Sequence, residues 1–576
     1  MSAPRIERRR VPAGDTLPPD LHPVVRRVLA ARGIDRPELL DTSTAGLLRP
    51  ETLGGLDAAT SLLALALAEA RPICIIADYD ADGATSCALA LRALRAMGAS
   101  AVDFVVPDRL RYGYGLTPPI VELARQKGAA LLVTVDNGIA SIDGVAAARA
   151  AGMQVLVTDH HLPGEVLPAA DAIVNPNARG DGFPSKALAG VGVIFYVMLA
   201  LRAHLRAQGW FDAQGISPPN LADLLDLVAL GTVADVVPLD PNNRRLVAQG
   251  LARMRQGRCV AGITALCRVA GKDPARLTTG ELGFALGPRL NAAGRLADMA
   301  LGIELLTSDD PVRCGRIAAE LDSINLTRRE IEQDMSAQAH TIVAGLLATA
   351  QRDIPAGLCL FDESWHQGVV GIVASRIKER YHRPVIAFAP GDGEELKGSA
   401  RSIQGVHIRD VLDAVATRNP GLLGRFGGHA MAAGLSLRRE AFTRFSQAFA
   451  AEVARVADAS ILERVLLTDG ELAAADFTLP LAAALATLLP WGQGNPAPLF
   501  DGEFNVLGRR VVGERHLKLE LGAPGGVQVG AIAFGAATAD WTHARRIHAA
   551  YRLEVNEWNG SESLQLQIEF ARGIED

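Results

Sequence analysis

The sequence predicts an α/β protein with a parallel-sheet domain, a second α/β domain joined to it by a long helix, and a small β-barrel at the C-terminal end. Over residues 70–175 apolar runs alternate with Ala-rich, helix-prone stretches, which favours a parallel sheet with helices on both faces. Residues 311–347 are charged and almost free of Gly and Pro, as expected of one long helix. Short β-like runs follow a loop at 492–496.

The chain of 576 residues, 49% of them hydrophobic, is long enough for several domains with separate cores. The first residues are rich in Arg and Pro, and we expect them to pack on the domain that follows. The predicted divisions are a leading segment at 1–45, a parallel-sheet domain at 46–305, a connecting helix at 306–348, a second α/β domain at 349–460 and a barrel at 461–576.

Each predicted element rests on a run of apolar residues with the period of a strand or a helix. The five runs in the tail fit a barrel of the oligonucleotide-binding (OB) type. Strands are predicted at 73–77, 102–106, 131–135 and 155–158, and in the tail at 504–506, 517–521, 527–533, 551–555 and 564–568. Helices are predicted at 22–31, 191–205 and 221–237.

Composition narrows the class of protein without indicating a function. The net charge of −6 and the pI of about 6.1 neither support nor exclude a nucleic-acid partner, because local basic patches bind nucleic acid even in acidic chains. The 6 cysteines lack the paired spacing of zinc or redox sites, which fits a reducing compartment. With no signal peptide and no run of about 18 apolar residues, we expect a soluble, cytoplasmic protein without a membrane partner.

Acidic residues and histidines follow three of the predicted strands. In open parallel sheets, ligands bind beyond the carboxyl ends of the strands, so these side chains should converge on one rim. A single Asp after a strand is more often a helix N-cap, but three such strands in succession reverse that preference. The residues are Asp78, Asp80 and Asp82 after the first strand, Asp136 after the third, and Asp159, His160 and His161 after the fourth.

Such a concentration of carboxylates indicates a metal site. Two like charges about 4 Å apart repel by roughly 4 kcal/mol at an effective dielectric of about 20, and a bound divalent cation turns that cost into a ligand set. Oxygen donors with one or two imidazoles suit Mn²⁺ or Mg²⁺ better than structural zinc. Two such ions bridged by one carboxylate would activate a water for in-line displacement at phosphorus.

A further acid lies in the apolar stretch 226–239, where a charged side chain is expensive unless it is paired. Asp235 is therefore a candidate for a fourth source of metal ligands. Asp226 lies nine residues earlier on a similar helical face, and for it the roles of ligand and of capping or ion-paired acid are equally favoured.

The order and spacing of these motifs resemble the DHH phosphoesterase superfamily. The motifs are DYDADG, VTVDNG, TDHH and GTVADVVPL. Residues 365–376, 398–402 and 427–434 look like the DHH-associated domain of that superfamily. With the barrel, the resemblance extends from about residue 45 to the end, to the long single-strand-specific DNA exonucleases of the superfamily.

The resemblance implies a 5′-to-3′ exonuclease that releases mononucleotides from single-stranded DNA with two Mn²⁺ or Mg²⁺ ions. It further implies a role in DNA repair and recombination, with assistance from a helicase and a single-strand-binding protein. His161 would contact the scissile phosphate or orient a ligand. The implied ligands are Asp80, Asp82, the bridging Asp136, His160 and Asp235, with Asp78 as a ligand or the partner of one.

Recognition of a strand end is expected from Ser399 and Arg401, since a hydroxyl and a guanidinium two residues apart suit a 5′ phosphate. Arg109 and Arg289 are candidates for contributions from the first domain, although a surface charge or an ion pair is as frequent for a lone Arg. The resemblance assigns His429, which lies among glycines, to DNA contact or substrate positioning rather than to a packing corner.

Phe504 and Trp558 in the tail are candidate platforms for stacking bases, with ordinary core packing of either ring at least as well supported. Positive charge for a strand-binding groove would come from nearby residues. These are Arg509, Arg510, Arg515, His516 and Lys518.

Two other functions compete with this prediction. A phosphoesterase of short oligonucleotides, cyclic dinucleotides or pyrophosphate would use the same chemistry, but such relatives are shorter and generally lack the barrel. A catalytically silent DNA-binding scaffold would have lost metal ligands, whereas this sequence keeps every acid and histidine of the pattern.

Overall fold

The computed structural model describes residues 4–108, 112–349, 354–558 and 560–574. The chain forms two compact units. The larger unit consists of Arg8–Ser323 and Leu467–Asp576, and the smaller unit consists of Met1–Glu7 and Ile324–Leu466. The barrel therefore belongs to the same compact unit as the parallel sheet. The predicted domain limits at residues 45, 305, 348 and 460 remain predictions.

Strands and helices alternate through most of the described chain. The strands are β1 (Arg5–Arg8), β2 (Ile73–Ala77), β3 (Val102–Val105), β4 (Leu131–Val135), β5 (Gln154–Thr158), β6 (Ala172–Val174), β7 (Leu358–Phe361), β8 (Val385–Pro390), β9 (Glu395–Arg401), β10 (Phe426–Gly428), β11 (Ala432–Arg438), β12 (Val465–Thr468), β13 (Phe500–Val512), β14 (His516–Gly522), β15 (Gln528–Ala533), β16 (Arg546–Trp558) and β17 (Ser561–Gly573).

The helices include a short π-helix at Leu282–Leu286. The α-helices are α1 (Pro23–Ala30), α2 (Leu56–Ala68), α3 (Ala81–Ala96), α4 (Pro118–Gln126), α5 (Ile142–Ala150), α6 (Gly190–Ala207), α7 (Trp210–Gln214), α8 (Leu225–Ala234), α9 (Pro241–Arg255), α10 (Ala261–Val269), α11 (Thr279–Glu281), α12 (Gly287–Leu296), α13 (Ala300–Thr307), α14 (Pro311–Thr349), α15 (Val370–Tyr381), α16 (Ile408–Arg418), α17 (Phe442–Val456), α18 (Ala459–Leu462) and α19 (Leu479–Thr487).

The predicted parallel sheet is confirmed. Its strand order is β3-β2-β4-β5-β6, and every neighbouring pair is parallel. The residues of β2 and β4 are all buried, because apolar cores lie on both faces of the sheet. The sequence did not predict β6, since a strand of three residues is too short to show a period.

Helix α6 contributes to the larger of the two apolar cores that lie on the faces of the parallel sheet. Among the described residues it is the one helix long and apolar enough to cross a membrane, and most of it is buried inside the unit. That length and composition are equally those of a core helix.

The predicted five-stranded barrel is also confirmed, with the closed order β13-β14-β15-β17-β16. Of the two roles left open for Phe504, core packing is confirmed, and the stacking platform is excluded because the ring is buried in the barrel core. The ring is needed to fill the barrel, where it packs edge-on against Tyr551. The side chain of Trp558 lies outside the described structure.

The expected packing of the leading segment is wrong in part. Val28 and Leu29 of α1 belong to the apolar core of the barrel rather than to that of the parallel sheet. The buried guanidinium of Arg32 forms two hydrogen bonds with Asp469, at 2.7 and 2.9 Å. The end of the segment contacts the sheet domain, where Gln249 of α9 donates to the carbonyl of Thr42. Residues far apart in sequence thus complete one core.

The smaller unit contains the predicted second α/β domain, and its sheet has the order β10-β11-β9-β8-β7. Strands β7 and β8 are parallel, and the other neighbouring pairs are antiparallel. Helix α14, which was predicted as one long helix, begins in the larger unit and ends in the smaller one.

Candidate metal centre

One acidic residue directly follows each of three neighbouring strands of the parallel sheet, and the ends of these strands are in register. Ala77, Val135 and Thr158 are in register across β2, β4 and β5. The residues that follow them are Asp78, Asp136 and Asp159, so the carboxyl-end rim receives one acid from each strand. Helix α8 ends nearby and presents Asp235 directly after its last residue. The predicted convergence on one rim is therefore confirmed for these strands.

Three sets of side chains at this rim have ligand atoms within 4.8 Å of one another. Asp136 belongs to two of the sets, and so does His160. Shared members make the sets contiguous, which suits adjacent cations with Asp136 as a common ligand. The sets are Asp78, Asp80 and Asp136; Asp136, His160 and His161; and Asp82, His160 and Asp235.

Two buried polar atoms at the centre of this rim lack hydrogen-bond partners within the described residues. They are Oδ1 of Asp136 and Nε2 of His160, and they lie 3.1 Å apart. Nε2 also lies 3.5 Å from Oδ2 of Asp235. Buried polar atoms are nearly always satisfied, and a cation would satisfy both. The carboxylate and imidazole donors therefore fit Mn²⁺ or Mg²⁺.

Burial and mutual repulsion raise the pKa values of these carboxyl groups. Burial, followed by the charge of Asp82, holds the pKa of Asp136 well above its usual value. Burial also raises the pKa of Asp82 to about 7, with the charge of Asp235 adding to the effect. Burial, then the charge of Asp80, raises the pKa of Asp235 to about 7. A bound cation offsets both causes.

Asp82 is held by the start of helix α6. Its Oδ2 accepts a hydrogen bond from the backbone N–H of Gly190 at 2.7 Å, and its Oδ1 accepts from Val191 at 2.9 Å. These N–H groups lie at the positive end of the helix dipole and lack partners within the helix. The carboxylate is thus fixed before any ion binds.

The sequence left two roles open for an Asp after a strand, helix N-cap and metal ligand. Asp80 has the contacts of the first and a position that suits the second. Its Oδ1 accepts a hydrogen bond from the N–H of Gly83 at 3.0 Å and caps helix α3. The same side chain belongs to the set with Asp78 and Asp136. Asp78 is buried and accepts from the N–H of Tyr79 at 2.8 Å.

Asp159 supports the histidine pair. It accepts hydrogen bonds from the N–H groups of Ile139, His160 and His161, and its Oδ1 lies 2.7 Å from Nδ1 of His161. Burial raises the pKa of Asp159, but the bond to His161 and that ring's charge outweigh burial and lower it. Burial lowers the pKa of His161, yet the hydrogen bond to Asp159 and its charge raise it to about 9. The geometry favours a charged imidazolium.

Sequence reasoning missed two asparagines that fix the histidine backbone. Asn175 follows β6 and donates to the carbonyl of His161 at 2.9 Å. Asn177 donates to the carbonyl of His160 at 2.6 Å. Both lie in an Asn-Pro-Asn run at the carboxyl end of a sheet strand, so a prediction of β6 would have brought them to notice.

Asp226, for which two roles were open, lies outside the three sets of candidate ligands. It is fully buried and accepts hydrogen bonds from the N–H groups of Leu227 and Val260, both at 2.8 Å. Burial raises its pKa to about 6. Its contacts are those of an acid that joins the start of α8 to the start of α10.

Two arginines of the first domain were predicted to help recognise the strand end, and the structure describes one of them, Arg289. The guanidinium of Arg289 is buried, donates to the carbonyl of Ala285 at 2.7 Å and lies 2.8 Å from Oδ1 of Asp322. These are the contacts of an ion-paired side chain, and a phosphate role for Arg289 remains a prediction. Arg109 lies outside the described residues.

Ser399 and Arg401 meet at the start of helix α15 in the smaller unit. A Cβ placed on Gly371 would lie 2.9 Å from Nη2 of Arg401 and 3.5 Å from Oγ of Ser399. A guanidinium, a hydroxyl and a helix N-terminus together suit an anion. His429 is exposed in the turn between β10 and β11. It follows Gly428, whose φ of +145° and whose clash-prone Cβ position require glycine.

Three family models match the chain. The model of the DHH family, N-terminal domain, matches residues 72–232, the DHHA1 domain matches 353–455, and the RecJ OB domain matches 468–569.

Similar curated proteins cover nearly the whole chain. The single-stranded-DNA-specific exonuclease RecJ of Dickeya dadantii is 54% identical over 567 residues, and the alignment covers 98% of each chain. The protein of the same name from Escherichia coli is 51% identical over 568 residues, again with 98% of each chain covered.

Solved structures with a similar fold contain divalent metals. The crystal structure of RecJ in complex with Mn²⁺ from Thermus thermophilus has a TM-score of 0.79 at 31% identity, covering 100% of this chain and 80% of that chain. The corresponding Mg²⁺ complex has a TM-score of 0.73 at 30% identity, covering 100% and 79%.

Gly190 offers a test of the metal centre in which no candidate ligand is itself substituted. A Cβ on Gly190 would lie 2.6 Å from both Cβ and Oδ1 of Asp136, so Gly190→Ala should displace that carboxylate. We expect Mn²⁺ affinity, measured by titration calorimetry, to fall by roughly 10–100-fold. The control is Gly315→Ala in α14, where no atom lies within 4 Å of the added Cβ. Wild-type affinity in Gly190→Ala would disprove the assignment of Asp136.

The raised pKa values predict that metal binding depends on pH. Below a pKa of about 7, the carboxyls of Asp82 and Asp235 carry protons that Mn²⁺ must displace. We expect the affinity for Mn²⁺ to rise as the pH rises from about 6 to about 8, and proton release per ion to fall over the same range. Calorimetry in buffers of different ionisation enthalpy measures both. An affinity that does not change with pH contradicts the pKa assignments.

Proposed function

The chain belongs to the RecJ family of single-stranded-DNA-specific exonucleases, and from this membership we propose how its residues carry out the reaction. The protein is a metal-dependent exodeoxyribonuclease that acts on single-stranded DNA with Mn²⁺ or Mg²⁺ as cofactor. The finer features that we propose are two ions, digestion from the 5′ end and release of mononucleotides.

The observation that carries the two-ion proposal is that two sets of candidate ligands adjoin, because Oδ1 of Asp136 in one set lies 3.1 Å from Nε2 of His160 in the other. The unsatisfied Oδ1 of Asp136 supports a bridging role for this carboxylate. We propose Asp78, Asp80, Asp82, Asp136, His160 and Asp235 as the metal ligands.

When bound, the ions would supply a polarised water and positive charge for the oxygens of the phosphoryl group. The chain's own side chains prepare the site for that chemistry. Asp82 is already oriented by helix α6, and Asp159 holds the ring of His161. The hydroxyl of Tyr114 lies 3.3 Å from Nδ1 of His161. We assign His161 to the scissile phosphate, because a charged imidazolium both attracts and donates to an anionic oxygen.

We propose that polarity comes from the smaller unit. Ser399 and Arg401 beside Gly371 would bind a 5′ phosphate, with His429 contacting the strand. A terminal phosphate is present at the 5′ end of the strand that remains after each cut that releases a 5′ mononucleotide. The same anion site would therefore serve every cycle.

We also propose that the enzyme works in the cytoplasm, in DNA repair and recombination, with a helicase and a single-strand-binding protein. An exonuclease that accepts single strands needs another activity to unpair a duplex. The 6 cysteines are free thiols, most of them buried, which fits a reducing compartment.

The direct test of the function uses single strands that carry a label at the 5′ or the 3′ end, incubated with Mn²⁺. We expect the 5′-labelled strand to release labelled mononucleotide first and a blunt duplex to resist digestion. Asp136→Ala should abolish turnover while strand binding stays measurable, because it removes the common ligand and no predicted strand contact. Digestion that starts at the 3′ end, or that is confined to dinucleotides, contradicts the proposal.

The 5′-phosphate site is tested by Arg401→Lys, since an ammonium cannot form the two parallel hydrogen bonds of a guanidinium. We expect the ratio of kcat/KM for 5′-phosphorylated over 5′-hydroxyl strands to fall by about tenfold. Arg438→Lys is the matched control, because this side chain is 83% exposed and pairs only loosely with Glu440 at 3.7 Å. An unchanged ratio in Arg401→Lys would place the terminal phosphate elsewhere.

A further inference from the structure

One aromatic ring of the larger unit is almost fully exposed. Phe284 is 84% exposed, the largest value for any large apolar side chain among the described residues. It lies in the π-helix Leu282–Leu286, whose neighbours Leu282, Ala285 and Leu286 are buried. π-helical turns are rare and occur frequently at functional sites. The backbone thus presents a large ring to solvent between residues that anchor the turn.

The helical segment that carries Phe284 passes directly beside the metal centre. Asn291 of α12 accepts a hydrogen bond from the N–H of Ala81 at 2.8 Å, and Ala81 lies between two candidate ligands. A Cβ on Gly294 would lie 1.7 Å from the carbonyl oxygen of Tyr79. Helix α12 therefore touches the segment that provides Asp78, Asp80 and Asp82.

The π-helix itself touches the end of α8, which precedes Asp235. A Cβ on Gly283 would lie 3.4 Å from Cγ1 of Val233, and one on Gly287 would lie 3.1 Å from Cβ of Ala234. Phe284 is thus one residue from a contact with the helix that presents a metal ligand. Because Gly283 and Gly287 carry no side chain, the π-helix and the start of α12 can lie close to α8. The ring of Phe284 remains exposed to solvent.

Phe284 belongs to a stripe of side chains that reach solvent on an otherwise buried helix. The stripe residues Phe284, Pro288, Asn291 and Arg295 are spaced so that they share one side of the helix. Phe284 lies about 10 Å along the axis from Asn291, the member that contacts the metal-binding segment. The stripe combines an aromatic ring with a guanidinium, and these are the two kinds of group that hold a single strand without reading its sequence.

A second exposed apolar side chain lies at the same end of α8. Val236 follows Asp235 and is 63% exposed. Its φ of +63° is unusual for a β-branched residue and carries a conformational cost. Strain of this kind is retained mainly at functional sites. The exposed side chains of Phe284 and Val236 therefore both lie near the end of α8, where the backbone strain indicates a functional site.

We propose that Phe284 is a stacking platform for one nucleobase of the bound single strand, beside the phosphodiester at the metal centre, with Val236 contributing apolar contact. The proposal rests on the proposed function, because it takes the strand as the substrate. Every base has a π-face, so one exposed ring holds a strand without reading its sequence. The exposed face of this ring, next to Gly283 in the chain, suits a flat base.

The test compares steady-state kinetics of Phe284 variants on a 5′-phosphorylated single strand with Mn²⁺. We expect Phe284→Ala to raise KM about tenfold with kcat changed less than about twofold, because stacking is lost while the metal ligands are untouched. Phe284→Trp should keep the wild-type KM, whereas Phe284→Leu should behave like Phe284→Ala. Val312→Ala, at a position 73% exposed in α14, is the matched control and should match wild type.

A scan of abasic positions along the strand identifies the stacked base. One abasic position should raise KM for the wild-type enzyme, and Phe284→Ala should be insensitive at that same position, since the partner ring is gone. A wild-type KM in Phe284→Ala, recovery by Phe284→Leu, or equal abasic profiles for the two proteins would overturn the proposal. If the wild-type enzyme itself failed to digest single strands, the proposed function would fail instead.

Discussion

The crowding of buried carboxylates at one rim of a parallel sheet is the constraint on which the rest of this structure depends. Two such charges about 4 Å apart repel by roughly 4 kcal/mol even at an effective dielectric of about 20. Here burial also raises the pKa values of Asp78, Asp82 and Asp136. A bound divalent cation offsets both the repulsion and the burial. The unsatisfied Oδ1 of Asp136 and Nε2 of His160 lie where such a charge would be bound.

The surrounding structure holds these groups in place by means of its backbone. The N–H groups at the start of α6 bind Asp82, the N–H of Gly83 binds Asp80, and three N–H groups bind Asp159. Fixed dipoles of this kind need no reorganisation when charge develops in the reaction. Two glycines make the arrangement sterically feasible, because a Cβ on Gly190 would displace Asp136 and one on Gly294 would meet the carbonyl of Tyr79. The candidate ligands are thus oriented by backbone groups of the chain itself.

The two units contain different groups that would bind the DNA strand. The larger unit holds the proposed metal ligands together with the exposed stripe of α12, and the smaller unit holds the hydroxyl and guanidinium at the start of α15. Phosphate groups carry the charge that both kinds of site attract, while base rings supply flat surface for stacking. Neither of these proposed contacts would depend on the identity of the base.

The candidate chemistry of the sheet rim was predictable from local patterns in the sequence. Acids and histidines directly after apolar strands indicate both the type and the position of candidate ligands, because the carboxyl ends of parallel strands share an edge. The long helix and the barrel strands were predictable for a similar reason, since their patterns are local. Other features became visible only in the folded chain. They are which candidate ligands lie next to each other, that Asp226 joins α8 to α10, that Phe504 fills the barrel and that α1 belongs to the same core. The folded chain also revealed the exposure of Phe284. These outcomes depend on contacts between residues distant in sequence, and no local period or propensity encodes them.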